Sequence, residues 1–452
     1  MDLIGRSVAV VGLGASGVAA VRLALARGAE VVGFDEAAPE RLLSRSDLAG
    51  LAGLEVRGGA LGEDALDGFE LVVVSPGVPE KPALQRAEAS GAKVVGELEF
   101  ASYYLDAPLV LIGGTNGKST TTALVAAILE AAGKQVFLGG NFGTPLADAV
   151  GGEYDVLVVE ISSFQAERVP TMHACAHALL NVTDDHLDRY PSFEAYARAK
   201  GNPFAAMTSD DVAVVPYGDA LCEAQARRGG ARRVTFAATD SRADVALRGD
   251  WLSDRLRGVA VPRSSLRLEG THNVANACAA IALAGAFDLG DVHATSAVLD
   301  KAFRGFVGLG HRCALVEEIA GVRYYDDSKG TNVGASVAAL AGLSESRVVL
   351  IAGGRDKQGT YAPLVEALRV KGRALVVLGE AAERIAEAAS GVLPIERAGT
   401  MEEAVELASR LAEPGDAVLL SPACSSFDMF ANYRARGDAF VAAVGYLRGA
   451  GS

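Results

Sequence analysis

The run Gly113-Gly114-Thr115-Asn116-Gly117-Lys118-Ser119-Thr120 brings glycines, a lysine and hydroxyls together at a spacing that suits a phosphate chain. An apolar run at 109–112 precedes it and a helix-like run at 121–132 follows. A strand, a glycine turn and a helix in that order aim backbone N–H groups and the positive end of a helix at an anion. Lys118 adds a point charge, and the Ser119 hydroxyl can hold Mg²⁺. The stricter form of this loop has glycine where Ile112 stands; here the glycines are shifted to 113 and 114. Taken by itself the run fits a nucleoside triphosphate site or a chance glycine-rich turn.

Further polar groups follow other apolar runs. The run 156–161 leads into Glu160-Ile161-Ser162-Ser163-Phe164-Gln165, and the run 178–182 into Asn181-Val182-Thr183-Asp184-Asp185-His186-Leu187-Asp188-Arg189. In a parallel sheet the C-terminal strand ends gather on one edge, so Glu160 and the Asp184–His186 group are expected near the glycine loop. Mg²⁺ takes oxygen ligands and keeps water, which makes Ser119 and Glu160 a pair for one ion. Plainer readings stand beside these. Glu160 can cap a helix or pair with a lysine, His186 can be a hydrogen-bonded loop residue, and the nearby aspartates can cap helices.

The last third repeats the pattern. Strands expected at 322–325, 347–352, 374–378 and 417–420 lead into Asp327-Ser328-Lys329-Gly330-Thr331-Asn332, Arg355-Asp356-Lys357 and Ser421-Pro422-Ala423-Cys424-Ser425-Ser426-Phe427. Arg312 and Asp327 form either a fixed ion pair or ligand contacts. Lys329 and Lys357 are surface charges or phosphate-facing cations, which stabilise charge developing in phosphoryl transfer. Near the start, Gly12-Leu13-Gly14-Ala15-Ser16-Gly17 opens a helix between strands expected at 7–11 and 30–34, and Asp35 follows. That spacing suits a dinucleotide, another phosphorylated ligand, or tight packing of helix on strand.

Apolar runs alternating with helical ones define an α/β chain built from mainly parallel sheets. At 452 residues one core is too few. Three domains are expected: 1–105 Rossmann-like, 106–307 like a phosphate-loop ATPase, and 308–452 Rossmann-like again. Asp106-Ala107-Pro108 punctuates the first boundary and Gly305, Gly308 and Gly310 the second.

A net charge of −14 argues against general nucleic-acid or membrane-surface binding, though a local site with Mg²⁺ can still take an anion. The five cysteines are widely spaced and odd in number, which fits buried free thiols in a reducing compartment. The first six residues lack a basic leader region, and no apolar run reaches the roughly 18 residues of a bilayer span. A cytoplasmic protein without membrane insertion is expected.

Taken together, these residues resemble the Mur ligases, ATP-dependent amide-forming enzymes of peptidoglycan precursor synthesis, over essentially the whole chain. Gly114 to Ser119, Glu160, His186, Asn273, Arg312 and Asp327 fall on the family's characteristic positions. The stretches after Glu160, Asn181, Asp327 and Leu420 are similar to those of the D-glutamate-adding members. The Asp-Asn-Pro-Arg run of diaminopimelate- or lysine-adding relatives is missing. Gly310 stands where a proline is usual, and Phe427 and Tyr433 differ from some relatives.

The resemblance implies ligation of D-glutamate to UDP-N-acetylmuramoyl-L-alanine through an acyl phosphate, with ATP and two Mg²⁺ ions, Mn²⁺ serving as a substitute. Implied ATP contacts are Gly114, Thr115, Asn116, Gly117, Lys118, Ser119, Thr120, Asn273, Asn276, Arg312, Asp327 and Lys329. Ser16, Asp35, Ser75, Pro76 and Gly77 become UDP contacts, which sets aside a nicotinamide cofactor. Asn141, Gln165, His186 and Tyr433 fall at substrate-contacting positions, and Thr331, Lys357, Ser426 and Phe427 at positions for D-glutamate. Ser119 and Glu160 would hold one metal ion, and His186 and a CO₂-derived carbamate on Lys200 the other. Read alone, Lys200 is a solvated helix lysine. The implied catalytic set is Lys118, Glu160, His186, Lys200, Arg312 and Asp327, acting in a monomer. Another Mur-type or folylpolyglutamate-type ligase is the neighbouring reading, and a non-catalytic nucleotide-binding regulator the distant one.

Overall fold

The computed structural model describes residues 1–185, 189–357 and 359–450, with side chains up to residue 447. Its central strands are short runs rich in valine, leucine and isoleucine and buried almost throughout, as strands covered on both faces must be, whereas edge strands such as Leu54–Gly58 and Ile395–Arg397 are partly exposed.

Five strands, β1 (Ser7–Val11), β2 (Glu30–Asp35), β3 (Leu54–Gly58), β4 (Leu71–Val74) and β5 (Lys93–Gly96), form a fully parallel sheet in the order β3-β2-β1-β4-β5. The order reverses between β1 and β4. Such a switch point opens a crevice at the C-terminal strand ends, and Gly12 and Ser75 stand there.

The second sheet holds β6 (Leu109–Gly113), β7 (Val136–Gly140), β8 (Val156–Glu160), β9 (Ala176–Leu179), β10 (Val212–Pro216), β11 (Arg232–Ala237), β12 (Val245–Arg248), β13 (Trp251–Asp254) and β14 (Val259–Pro262). Its order is β14-β13-β12-β11-β10-β9-β6-β8-β7. All pairs are parallel except the closing meander β12-β13-β14. The third sheet holds β15 (Ala314–Ile319), β16 (Val322–Asp326), β17 (Val348–Gly353), β18 (Gly372–Leu378), β19 (Ile395–Arg397) and β20 (Ala417–Leu420), in the order β15-β16-β20-β17-β18-β19. Only β15 runs antiparallel.

The expected α/β class with three mainly parallel sheets is what the chain adopts. One expectation needs correction: the strand at 178–182 is β9, Ala176–Leu179, and ends earlier. Asn181 leaves the ladder because its backbone and side chain are committed to the glycine loop. Another concerns the cysteines: all five are free, but Cys175 and Cys313 are only partly buried.

By contacts the chain forms two compact units. One comprises residues 1–182, 194–262 and 277–303, and the other 183–193, 263–276 and 304–452. Among the described residues no helix is long and apolar enough to cross a membrane.

Candidate active site

In the first unit the glycine loop joins β6 to the helix Lys118–Ala131. Gly117 precedes the helix with φ of 84°, a left-handed conformation that favours glycine. Gly114 has φ of 139°, and a Cβ there would press on Leu180 at 3.1 Å. Asn181 clamps the loop from β9's end. Its carboxamide oxygen accepts from the Thr115 and Asn116 amides at 3.2 and 2.9 Å, and its Nδ2 donates to the Asn116 carbonyl at 3.0 Å. The Lys118 ammonium folds onto the loop and donates to the Thr115 carbonyl at 2.7 Å.

Glu160 ends β8 and is buried. The Ser119 hydroxyl donates to its Oε2, and the Asn141 Nδ2 donates to its Oε1 at 2.6 Å. A carboxylate, a hydroxyl and a carboxamide thus meet beside the loop. Lys200 is also buried, on the helix Phe193–Lys200, and its ammonium donates to the Gly114 carbonyl at 2.7 Å. Gln165 closes a capping box with Ser162 at the short helix Ser163–Ala166, which fixes the turn after β8. His186 lies outside the described residues, so its assignment has no geometry here.

At the crevice of the first sheet, the Ser75 hydroxyl donates to the Gly12 carbonyl at 2.6 Å. Both Asp35 oxygens are taken by backbone amides, of Leu13 at 2.7 Å and Ala37 at 2.9 Å. A Cβ on Gly17 would strike the Gly12 carbonyl oxygen at 1.8 Å, so helix and loop pack as closely as the glycine pattern allows. A cavity of about 150 Å³ opens here, lined by Gly12, Phe34, Asp35, Gly59, Gly77 and Lys81. Ser16 is partly exposed on the adjoining helix Ala15–Ala26.

In the second unit Asp327 is buried at the end of β16 and accepts from the Ser421 hydroxyl at 2.7 Å. Burial pushes its carboxyl up to about 7, against the opposing pull of Ser421 and the Arg312 charge. The Lys329 ammonium lies 4.0 Å from the Tyr433 ring centre, a cation–π distance. Thr331 is half-buried in the same loop. Lys357, expected opposite a substrate carboxylate, donates to Asp185 at 3.0 Å, and Asn332 donates to the other oxygen of Asp185 at 3.2 Å. Ser426 is buried, whereas Phe427 is 65% exposed. The Asn276 carboxamide donates to Asn273 at 3.2 Å.

Sequence reasoning passed over Arg436. It is buried on the helix Tyr433–Ala450 and donates to the carbonyls of Ser328 at 2.9 Å, Cys424 at 3.1 Å and Ser425 at 3.2 Å. One guanidinium therefore pins two strand-end loops. A signal was present: Arg436 falls in the apolar stripe of Phe440, Ala443 and Val444 at helical spacing. Asn181 was seen as part of a motif but not as the clamp of the loop.

Three family models match: the Mur ligase MurD-like N-terminal domain over residues 6–96, the Mur ligase middle domain over 112–284, and the Mur ligase glutamate ligase domain over 311–424. The chain belongs to the Mur ligase family. It is similar to the UDP-N-acetylmuramoylalanine–D-glutamate ligase of Geobacter metallireducens, with 42% identity over 99% of both chains. The enzyme of the same name from Trichlorobacter lovleyi is 43% identical, over 98% of this chain and 99% of that one. Among solved structures, the MurF ligase of Thermotoga maritima in complex with ADP aligns with a TM-score of 0.61 at 17% identity, over 98% of this chain and 95% of that one. The folylpolyglutamate synthase of Mycobacterium tuberculosis aligns with a TM-score of 0.59 at 18% identity, over 75% and 93%. At those identities the likeness is one of fold.

Proposed function

We propose that this chain joins D-glutamate to UDP-N-acetylmuramoyl-L-alanine, converting ATP to ADP and phosphate. The observation that carries the reading is the contact of Ser119 with Glu160 directly under a phosphate loop, in a chain that matches D-glutamate ligases end to end. The MurD-like match over residues 6–96 favours this reading over the folylpolyglutamate type.

A carboxylate is a poor electrophile, so the reaction begins by activating it. The L-alanyl carboxylate attacks the γ-phosphorus of ATP, the bond to the β-phosphate oxygen breaks, and an acyl phosphate and ADP result. The D-glutamate amine then attacks the acyl carbon, loses a proton, and phosphate leaves from the tetrahedral intermediate. Lys118, released from the Thr115 carbonyl, offsets charge on the transferring phosphoryl group. Arg312, Asp327 and Lys329 orient the nucleotide. Asn273 and Asn276 flank it. Thr331, Lys357, Ser426 and Phe427 hold D-glutamate, for which Lys357 must exchange Asp185 for the incoming carboxylate, and Tyr433 is a further substrate contact.

The donor set of Ser119 and Glu160 is hard oxygen, which fits one Mg²⁺. Bound there, the ion would neutralise the terminal phosphates. For a second ion, Lys200 as an ammonium is a donor and becomes an oxygen ligand only as a carbamate. The UDP part occupies the crevice of Ser16, Asp35 and Ser75 to Gly77, with Asn141 and Gln165 toward the peptide. We divide the chain functionally at 105/106 and 307/308 and take it to act as a monomer in the cytoplasm, where ATP is made available.

The test is phosphate release from ATP with UDP-N-acetylmuramoyl-L-alanine and one amino acid at a time. Release is expected with D-glutamate and not with L-glutamate, lysine or diaminopimelate. Release with another acceptor, or none with any, overturns the reading.

A further inference from the structure

Glu97 opens the short helix Glu97–Ser102, which leads from β5 of the first sheet toward β6 of the second. It is 2% exposed. Its Oε1 accepts from the Ala147 amide at 2.6 Å, and the Leu146 amide faces it as well. Those amides open the 3-10 helix Leu146–Ala149. Glu97 Oε2 is buried without a hydrogen-bond partner among the described residues. Glu97 also lines a small cleft with Ser75, Pro76, Gln165 and Arg168.

The segment that Glu97 holds leads directly to Asn141. Between β7 and Leu146 the chain makes a tight loop, closed by the Gly140 amide donating to the Thr144 carbonyl at 2.8 Å. Gly140 has φ of 93°, and a Cβ there would strike the Glu160 carbonyl oxygen at 2.3 Å. The Asn141 amide donates to that same carbonyl at 2.9 Å, and its side chain to the Glu160 carboxylate. A loop this constrained moves as a piece. The far side of the 3-10 helix is tied to the same domain as Glu97, because Asp148 accepts from Arg22 at 2.7 Å.

We propose that Glu97 is a positioning residue: by holding the amides that open Leu146–Ala149, it sets where the Asn141 carboxamide stands beside Glu160. It thereby links the cleft of Ser75 and Gln165 to the phosphate-loop side of the same unit. The inference rests on the ligase reading for its kinetic consequence only.

Burial pushes the Glu97 carboxyl up to about 7, and the Asp148 charge adds to this while the two amides oppose it. The other charged groups nearby are committed. Arg22 is on Asp148, Glu99 accepts from Thr171, Met172 and Tyr103, and Arg168 pairs with Glu80 and Glu88. Near neutrality the carboxyl therefore changes charge, and its grip on the two amides strengthens as pH rises.

The experiment has two arms. In the first, amide hydrogen exchange is followed in the full chain and in Glu97→Ala, with β8 amides as the reference for global folding. Faster exchange at Asn141 and Ala147, with β8 unchanged, is expected; unchanged exchange at Asn141 overturns the inference whether or not the protein is active. In the second arm, Glu97→Ala is expected to lower kcat/KM for the UDP-linked substrate about tenfold. In an Asn141→Ala background the same change is expected to have no further effect. Losses that multiply overturn the inference and leave the ligase reading in place. Glu97→Gln, which keeps a neutral acceptor, is expected to hold activity between that of Glu97→Ala and that of the unchanged chain, and to remove an acid limb near pH 7. An unchanged limb in that variant also counts against it.

Discussion

The Lys200 ammonium donates to the Gly114 carbonyl at 2.7 Å, so a buried cation stands directly beneath the phosphate loop. The same helix carries Tyr196, whose ring centre lies 4.6 Å from that ammonium and whose hydroxyl lies 3.1 Å from the Thr115 hydroxyl. The plain reading of Lys200 as a solvated helix lysine is therefore wrong: its helix face is turned into the core. Lys200→Ala is expected to lower turnover at least about a hundredfold, through loss of either the loop contact or a carbamate. Partial rescue by acetate or formate separates the two, because a small carboxylate replaces a carbamate and not an ammonium. Full activity in the variant would remove the lysine from the mechanism.

Asp327 gives a pH-dependent stability of unusual sign. Its carboxyl ionises near 7 in the fold and near 3.8 in the unfolded chain. The folded state binds the proton more tightly, so this contribution is fully present below 3.8 and is lost as pH rises through about 7. Asp327→Asn keeps an acceptor for Ser421 without the buried charge. It is expected to melt higher than the wild-type chain at pH 8, by up to about 4 kcal/mol in stability, and to show no such gain at pH 4. Calorimetry at the two pH values checks this, since every other titrating group is common to both proteins. A loss of turnover beside that gain is the expected outcome if Asp327 has the proposed role at the nucleotide.

Arg436 supports the strand-end loops in the second unit, holding Ser328, Cys424 and Ser425 by their carbonyls. A lysine carries one compact ammonium and cannot span these acceptors with a planar fork. Arg436→Lys is expected to lower kcat/KM for D-glutamate more than about tenfold and to cost about 2 kcal/mol in stability through lost charged hydrogen bonds. Unchanged kinetics would mean that the loops are set without it.

The glycine loop was legible because its constraints are local. Gly114 and Gly117 occupy backbone angles that favour glycine, and Lys118 and Ser119 follow at fixed offsets. The strand ends were legible for a similar reason: apolar runs stop where polar loops begin. Asn181 misled because Leu179, Leu180 and Val182 keep the letters of a strand while Asn181 bonds to Asn116, distant in sequence. The Lys357–Asp185 pair joins residues still further apart, and no periodicity encodes such a contact. Arg436 was readable from its stripe, once an arginine among buried apolar positions is taken as a signal rather than an exception.

The unit that contains residues 304–452 also takes in 183–193 and 263–276. During synthesis the first sheet has all its strands once Gly96 leaves the ribosome. Asp185 emerges long before Lys357 and Asn332, the residues it holds. Its contacts with Lys357 and Asn332 form only after the later part of the chain has emerged. A polypeptide begun at residue 304 would lack Asp185 altogether. Separately made halves of this protein would have to complement each other, with the earlier segments Thr183–Phe193 and Arg263–Asn276 both needed to complete the later unit.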